Sequence, residues 1–333
     1  MTDTYVPEHR AATHIDVISE ENYAEVMQNE VEPFLEKYRT EGALTIVRGK
    51  RLHYEYYLCS DPVGAVVICH GFTESAEKFR EMSYYFLRAG YSVFAVDHRG
   101  HGRSYREVED TSYTHVEKFR EYVDDFDLFV QKIVKPNAMN LPLYLFSHSM
   151  GGAIGGMYLT RCPMEFRKAV MSSPMIAAST NGVPHFAAAA VTDLFCLFGQ
   201  KKERVFLYHD FSENEKFESS CDDSFARFEY YRKKRVEFPY LRNNSATYGW
   251  LKQALGVTRT LLKKSACATV QAKVLLFQAG ADDIVLLKPQ EKYIARIPHG
   301  ELRRIEGAKH ELYMTPNAVL QPYLDQILTF FAK

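Results

Sequence analysis

Residues 143–152 read Leu-Tyr-Leu-Phe-Ser-His-Ser-Met-Gly-Gly. The apolar start has the length of a buried strand, and Met150 to Arg161 has the spacing of a helix. Between them the chain must pass from extended to helical within a residue or two. A serine at that apex, Ser149, projects its hydroxyl above the strand end, at a helix N-terminus whose dipole favours developing negative charge. Positions two before and two after it face close backbone, so small residues are needed there. Ser147, Gly151 and Gly152 meet that need. The spacing is that of a nucleophile elbow, with Ser147 in place of the usual first glycine. Ser149 is the candidate nucleophile.

A serine hydroxyl needs a base to take its proton, and the base needs an acid to orient it. Around such an elbow the three follow in the order Ser, acid, His, each on a loop after a strand. Downstream, Val274 to Phe277 leads into Gly280-Ala281-Asp282-Asp283-Ile284-Val285, and Leu302 to Ile305 leads into Glu306-Gly307-Ala308-Lys309-His310. His310 is the candidate base. Asp282 or Asp283 is the acid, with Asp282 preferred because Ile284 and Val285 can turn inward behind it. His299 precedes its strand and falls at the wrong end of a sheet. The oxyanion formed by attack needs two backbone N–H donors. One is expected from Met150, next to the nucleophile. The other is expected from Phe72, in the loop His70-Gly71-Phe72-Thr73-Glu74 that follows the run Ala65 to Cys69. His70 reads as a residue that holds this loop.

The stretch Asp97-His98-Arg99-Gly100-His101-Gly102-Arg103-Ser104 sets two histidines near an aspartate. It offers no third ligand at helical spacing and its glycines suit a tight loop. No metal is expected there, and Asp97 and Arg99 are read as a scaffold pair. The cysteines (Cys59, Cys69, Cys162, Cys196, Cys221, Cys267) are scattered without the spacing of a zinc clip or redox pair. Reduced thiols in the cytoplasm are the expected state. The cluster Arg232-Lys233-Lys234-Arg235 reads as a solvated helix face, with lipid phosphates as a partner it could meet at a membrane surface.

These residues need a scaffold, and short apolar runs supply its strands. Ala65 to Cys69, Val93 to Val96, Leu143 to Phe146, Ala169 to Met171 and Val274 to Phe277 suit strands buried on both faces of a parallel sheet. Leu44 to Val47 and Leu52 to Leu58 read as a pair turned by Arg48-Gly49-Lys50. Helical patterns fall at Glu77 to Arg88, Val116 to Val134, Met150 to Arg161, Lys288 to Arg296 and Asn317 to Phe331. This alternation predicts an α/β fold, a mostly parallel sheet with helices on both faces. It breaks over residues 174–265, which carry 14 Lys/Arg against 10 Asp/Glu and the only tryptophan. That stretch is read as a helical cap inserted into a core of residues 43–173 and 266–333. Residues 1–42 are read as a helical extension, with Val26, Val31, Phe34, Leu35 and Tyr38 on one face and Pro33 as an interruption. The 333 residues have a net charge of −1, with 46% hydrophobic and 25% charged residues. Such a balance excludes a disordered or fibrous chain and gives no electrostatic case for nucleic acid. No run approaches the ~20 apolar residues that cross a bilayer. The first ten residues lack the basic start and apolar stretch of a secretory leader.

Together, His70-Gly71-Phe72, the loop from Asp97 to Ser104, Ser147 to Gly152, Gly280 to Val285 and Gly307-Ala308-Lys309-His310-Glu311 resemble the α/β-hydrolase superfamily. Phe119 to Asp125 resembles the helix that follows the arginine–glycine loop in one of its branches. That branch holds lysophospholipase L2 and monoacylglycerol lipase type enzymes. The likeness covers residues 43–173 and 266–333. In the cap it rests only on Tyr230-Tyr231-Arg232 and Thr247-Tyr248-Gly249-Trp250. It implies a fold of the α/β-hydrolase kind, a triad of Ser149, Asp282 and His310, an oxyanion hole of Phe72 and Met150, and no metal or cofactor. The expected activity is hydrolysis of carboxylic esters through an acyl-enzyme, on lipid monoesters such as lysophospholipids or monoacylglycerols. Phe186, Phe195, Phe198 and Trp250 of the cap are expected to bury the acyl chain, with transient contact of the cap at a membrane surface. Other readings are a short-chain or aryl carboxylesterase, a proline-type peptidase, and a non-hydrolytic ligand-binding receptor.

Overall fold

A computed structural model of the chain describes residues 10–180 and 182–333. Its centre is a sheet of eight strands. In chain order they are β1 (Arg39–Val47), β2 (Lys50–Tyr57), β3 (Gly64–Cys69), β4 (Tyr91–Val96), β5 (Leu143–His148), β6 (Lys168–Ser172), β7 (Lys273–Ala279) and β8 (Gly300–Ile305). Their spatial order is β1-β2-β4-β3-β5-β6-β7-β8. β1 and β2 form an antiparallel hairpin, β2 runs antiparallel to β4, and all later neighbours are parallel. β3 to β6 are buried along their whole length, as parallel strands covered on both faces must be. β8 is the exposed edge, where Glu301, Arg303 and Arg304 discourage pairing with another chain.

The main helices are α1 (Arg80–Arg88), α2 (Arg120–Phe129), α3 (Met150–Arg161), α4 (His185–Leu197), α5 (Phe225–Glu237), α6 (Tyr248–Leu261), α7 (Leu287–Ile294) and α8 (Asn317–Ala332). Alternate strand residues feed two cores. Leu145 and Leu276 meet Phe126 of α2, Ile154 of α3, Val257 of α6 and Tyr293 of α7 on one face. Phe146 and Phe277 meet Phe86 of α1 and Leu324 of α8 on the other.

The N-terminal segment joins this second core through Met27, Val31 and Leu35, which are buried. Tyr38, expected on that face, is exposed. Pro33 does not interrupt the segment. A π turn (Met27–Val31) hands over to a new α turn (Glu32–Glu36), and Pro33 sits in the first turn of the latter, where no N–H is owed.

Three of these main helices, α4 to α6, lie between β6 and β7. They are tied to the sheet body by polar side chains. Arg227 of α5 is fully buried and reaches Glu81 of α1 at 2.8 Å, with further bonds to the carbonyls of Ile18 and Thr315. Asn243 donates to the Gly100 carbonyl at 2.6 Å and the Thr114 hydroxyl at 3.0 Å.

Candidate active site

β5 ends at His148 and α3 starts at Met150, which leaves Ser149 alone at the turn, with φ +50° and ψ −118°. A side chain at positive φ is strained, so the surroundings must over-determine it. They do so by hydrogen bonds. The Ser149 N–H donates to the Ser172 carbonyl at 3.1 Å, and its carbonyl accepts from Gly152 at 2.9 Å and Met175 at 2.8 Å. The glycines are needed for close approach. A Cβ on Gly151 would lie 1.9 Å from the Cys69 carbonyl oxygen, and one on Gly152 would lie 2.4 Å from Pro174 Cβ. Ser147 fits, and its hydroxyl donates to the Val170 carbonyl at 3.2 Å.

The loops after β7 and β8 bring Asp282 and His310 together. Asp282 Oδ2 lies 2.7 Å from His310 Nδ1, while Oδ1 accepts from the N–H groups of Ile284 at 2.9 Å and Val285 at 3.1 Å. Asp282 is thus fixed by the turn that follows it, whereas Asp283 points to solvent. His310 is 4% exposed, and its Nε2 is buried with no hydrogen-bond partner among the described residues. Ser149, His310 and Phe72 line one cavity of about 260 Å³. The backbone N–H groups of Phe72 and Met150 have no acceptor among the described residues. These are the features an acyl-transfer site requires: a hydroxyl on a strained turn, an oriented imidazole with a free nitrogen, and open N–H donors.

One residue outside the expected set ties these parts together. Glu74 is 3% exposed, and its carboxylate accepts from the Gly71 N–H and the Tyr313 hydroxyl and pairs with His148 Nδ1 at 3.0 Å. His148 Nε2 in turn lies 3.4 Å from the His310 carbonyl oxygen. A single buried carboxylate therefore connects the Phe72 loop, the elbow and the His310 loop. Burial alone would raise the Glu74 carboxyl, but the His148 charge and hydrogen bond hold it below the ordinary range. Burial alone would lower the His148 imidazole, but Glu74 holds it above its ordinary value.

His70 serves structure, with Nδ1 at 2.8 Å from the Gly71 carbonyl and Nε2 accepting from the His98 N–H at 2.9 Å. Asp97 and Arg99 both serve the scaffold but do not pair with each other. Asp97 accepts from the N–H groups of Ala76 at 2.7 Å and Arg103 at 2.8 Å. Burial opposes its charge, yet His53, His70 and the Ala76 N–H bring its carboxyl down to about 2. Arg99 instead grips Asp125 with two bonds, at 2.6 and 2.8 Å, and Glu121 at 2.9 Å. A bidentate match to a carboxylate on the facing helix outcompetes a neighbour already saturated by backbone N–H groups.

The aromatic residues expected over the site lie elsewhere. Phe186 is 79% and Phe198 76% exposed, on the outer side of α4. Phe195 stacks on Tyr248 with centroids 4.2 Å apart, and Trp250 packs behind Phe72 at 4.1 Å. None of the four lines the cavity. Of the aromatics on α4, Phe195 serves to pack that helix on α6, while Phe186 and Phe198 face solvent. The basic cluster is also not a free face. Arg232 holds Glu229 at 2.7 Å, Lys234 pairs with Glu32 and Glu77, and Arg235 holds Glu215 at 2.6 Å. Of the four, Arg232 and Arg235 line the cavity. Its wall is mixed, with Lys78, Asp222, Tyr231 and Glu311 beside Phe72, Phe228 and Ile284. Among the described residues no group of three or more His, Cys, Asp or Glu could hold a metal ion.

Comparison with known proteins agrees with this geometry. Lysophospholipase L2 of Escherichia coli (strain K12) is 27% identical over 277 residues, covering 80% of each chain. A monoacylglycerol lipase of Mycolicibacterium smegmatis is 35% identical over 153 residues, 46% of this chain and 52% of its own length. A soluble variant of the monoglyceride lipase from Saccharomyces cerevisiae, solved with a substrate analogue, superposes with a TM-score of 0.71 at 19% identity, covering 88% of this chain and 94% of that one. The family model described as serine aminopeptidase, S33, matches residues 60–317, more than three-quarters of the chain. Sheet order, elbow and family match converge on one conclusion: the chain has the α/β-hydrolase fold and belongs to the serine aminopeptidase S33 family.

Proposed function

We propose that the protein hydrolyses carboxylic monoesters of lipids, lysophospholipids first among them, through an acyl-enzyme on Ser149. The observation that carries the proposal is the Asp282–His310 pair. His310, whose Nε2 has no hydrogen-bond partner among the described residues, lines the cavity that also holds Ser149. His310 Nε2 takes the Ser149 proton as Oγ attacks the ester carbonyl carbon. The oxyanion is met by the N–H groups of Phe72 and Met150, each such donor contributing about 3–4 kcal/mol to transition-state stabilisation. His310 then protonates the leaving alkoxide. A water molecule, deprotonated by His310, attacks the acyl-enzyme and releases the carboxylic acid and Ser149. Asp282 keeps Nδ1 protonated and stabilises the imidazolium throughout.

Two observations favour lysophospholipids over monoacylglycerols. In sequence, the likeness to lysophospholipase L2 runs at 27% identity over 80% of the chain, whereas the monoacylglycerol lipase covers 46% and a monoglyceride lipase homologue that covers 81% is 23% identical. The cavity wall also carries charges on both signs, more than a glycerol would need. The residues from 174 to 265 are proposed as the cap, and its outer helix as the part that meets lipid. At ~100° per residue, Phe186, Leu194, Leu197 and Phe198 fall within about 120° of arc on α4. All four are more than half exposed. No helix among the described residues is long and apolar enough to cross a membrane, so this contact would lie at the interface.

The test is a hydrolysis panel on purified enzyme, with Ser149→Ala as the blank. It comprises lysophospholipids, monoacylglycerols, p-nitrophenyl esters from C2 to C16, and aminoacyl amides. Long-chain lipid monoesters should be turned over and the blank should be silent. A clear optimum at C2–C4 would remove the lipid reading, and preferential cleavage of an aminoacyl amide would replace it with a peptidase.

A further inference from the structure

The cavity above Ser149 contains charged atoms that the hydrolytic mechanism leaves unused. Asp222, on the chain leading into α5, is 6% exposed, and its Oδ1 is buried with no hydrogen-bond partner among the described residues. Arg235 of α5 uses its two terminal nitrogens on Glu215, Asn243 and Asn244, while its Nε is buried without a partner. The Tyr231 hydroxyl is in the same condition. All three side chains line the cavity that Ser149 and His310 share. A buried acceptor and a buried donor left open on one wall are costly, and a ligand that satisfies both recovers that cost on binding.

The charges around Asp222 specify what the acceptor would take. Lys78 lies 2.5 Å from Glu311, and Glu74 is met by His148 at 3.0 Å. Those two cations pair with Glu311 and Glu74; Lys78 also attracts the third carboxyl, Asp222, which shares a hydrogen bond with Glu311 but makes no close ion pair among the described residues. Lys309, the next cation, spends its ammonium on the backbone carbonyls of Ser220 and Asp222. Burial and the neighbouring Glu311 charge push the Asp222 carboxyl upward. A quaternary ammonium offers no N–H to an open carboxyl oxygen, whereas a primary ammonium offers three.

Resting on the lysophospholipid reading above, we propose that the cavity is a head-group subsite for a zwitterion. A phosphodiester meets Arg235 Nε and the Tyr231 hydroxyl, and a primary ammonium, as in an ethanolamine phosphate ester, meets Asp222. The subsite would select ethanolamine over choline head groups and over neutral glycerol.

The test separates the subsite from the catalysis. Binding of glycerophosphoethanolamine, glycerophosphocholine and glycerol 3-phosphate is measured by calorimetry on the full-length Ser149→Ala protein. The ethanolamine compound should bind about tenfold or more tightly than the other two, the range expected for a hydrogen bond to a charged group. Asp222→Asn should erase that preference, and Arg235→Gln should weaken all three. Equal affinity for the three compounds, or no binding, overturns the subsite even if either variant fails to fold, because it is read on the parent protein. Retention of the preference in a folded Asp222→Asn protein overturns the role of Asp222. Failure of the lysophospholipid reading would show differently, as absence of lipid ester hydrolysis by the wild-type enzyme in the panel above.

Discussion

At the scale of single residues, the account rests on which atom faces which. Asp282 holds His310 through Oδ2, while its Oδ1 is locked by two backbone N–H groups. Asp282→Asn should lower kcat/KM by about 10⁴-fold, the cost of the wrong imidazole tautomer. Asp283→Asn should stay within about threefold, since surface changes away from such features are small. Steady-state kinetics on a p-nitrophenyl ester decides between them, and the reverse order would move the acid by one residue. Glu74→Gln probes the hub. If its bonds place the Phe72 loop and the elbow, kcat should fall by about 10- to 100-fold with KM little changed, as misplacement of reacting groups predicts. The Glu74–His148 pair also fixes a sign for stability against pH. Glu74 is held below its ordinary 4.5 and His148 above its ordinary 6.5. Their stabilisation is therefore full between those values. It shrinks as pH falls through the depressed Glu74 value, and as pH rises through the raised His148 value. Denaturant unfolding of wild type and Glu74→Gln from about pH 2.5 to about pH 8.5, roughly two units beyond each ordinary value, should show their difference narrowing at both ends. The turn at Ser149 and the contact of Asp282 with His310 were legible because each residue sits at a fixed offset from a strand end. Glu74 was visible only as a loop residue. Its partners His148 and Tyr313 lie 74 and 239 residues away, and nothing local announces such a meeting.

At the scale of elements, buried strands were the clearest signal, since β3 to β6 are buried from end to end and mostly apolar. α3 was equally plain, because the elbow fixes its start. The N-terminal segment was misread at Pro33, because a change of helical register leaves no mark in spacing alone. α4 shows the limit of composition. Its aromatic and aliphatic residues suggest a pocket lining, but the same pattern suits a helix with one face on a neighbour and the other exposed. Its outward side yields a prediction about lipid. Replacing Leu197 and Phe198, 83% and 76% exposed, by Asp should lower partition onto lipid vesicles by at least about tenfold, given ~1.5–3 kcal/mol per large apolar side chain buried. Co-sedimentation measures it, and unchanged partition would show that α4 does not meet lipid.

At the scale of the whole molecule, widely separated segments are held to one body by buried charges. Arg227 joins α5, α1, residue 18 and residue 315 through Glu81 and two carbonyls. Arg227→Ala would leave Glu81 buried and unpaired and should cost about 3–5 kcal/mol of stability. Urea unfolding with a single transition would register that loss, and a change below about 1 kcal/mol would place the pair among exposed ones. The sequence suggested an insertion here, because Ser149 precedes the irregular stretch and Asp282 and His310 follow it. The ion pairs that clamp the stretch down were not legible, since they join residues up to hundreds of positions apart. The central claim, that one serine carries the chemistry, is tested most directly by the intact mass of the whole enzyme after titration with a long-chain fluorophosphonate. The account predicts a single adduct, mapped to Ser149, with lipid ester hydrolysis lost in step with labelling. Hydrolysis that survives complete labelling, or an adduct on another residue, would contradict it.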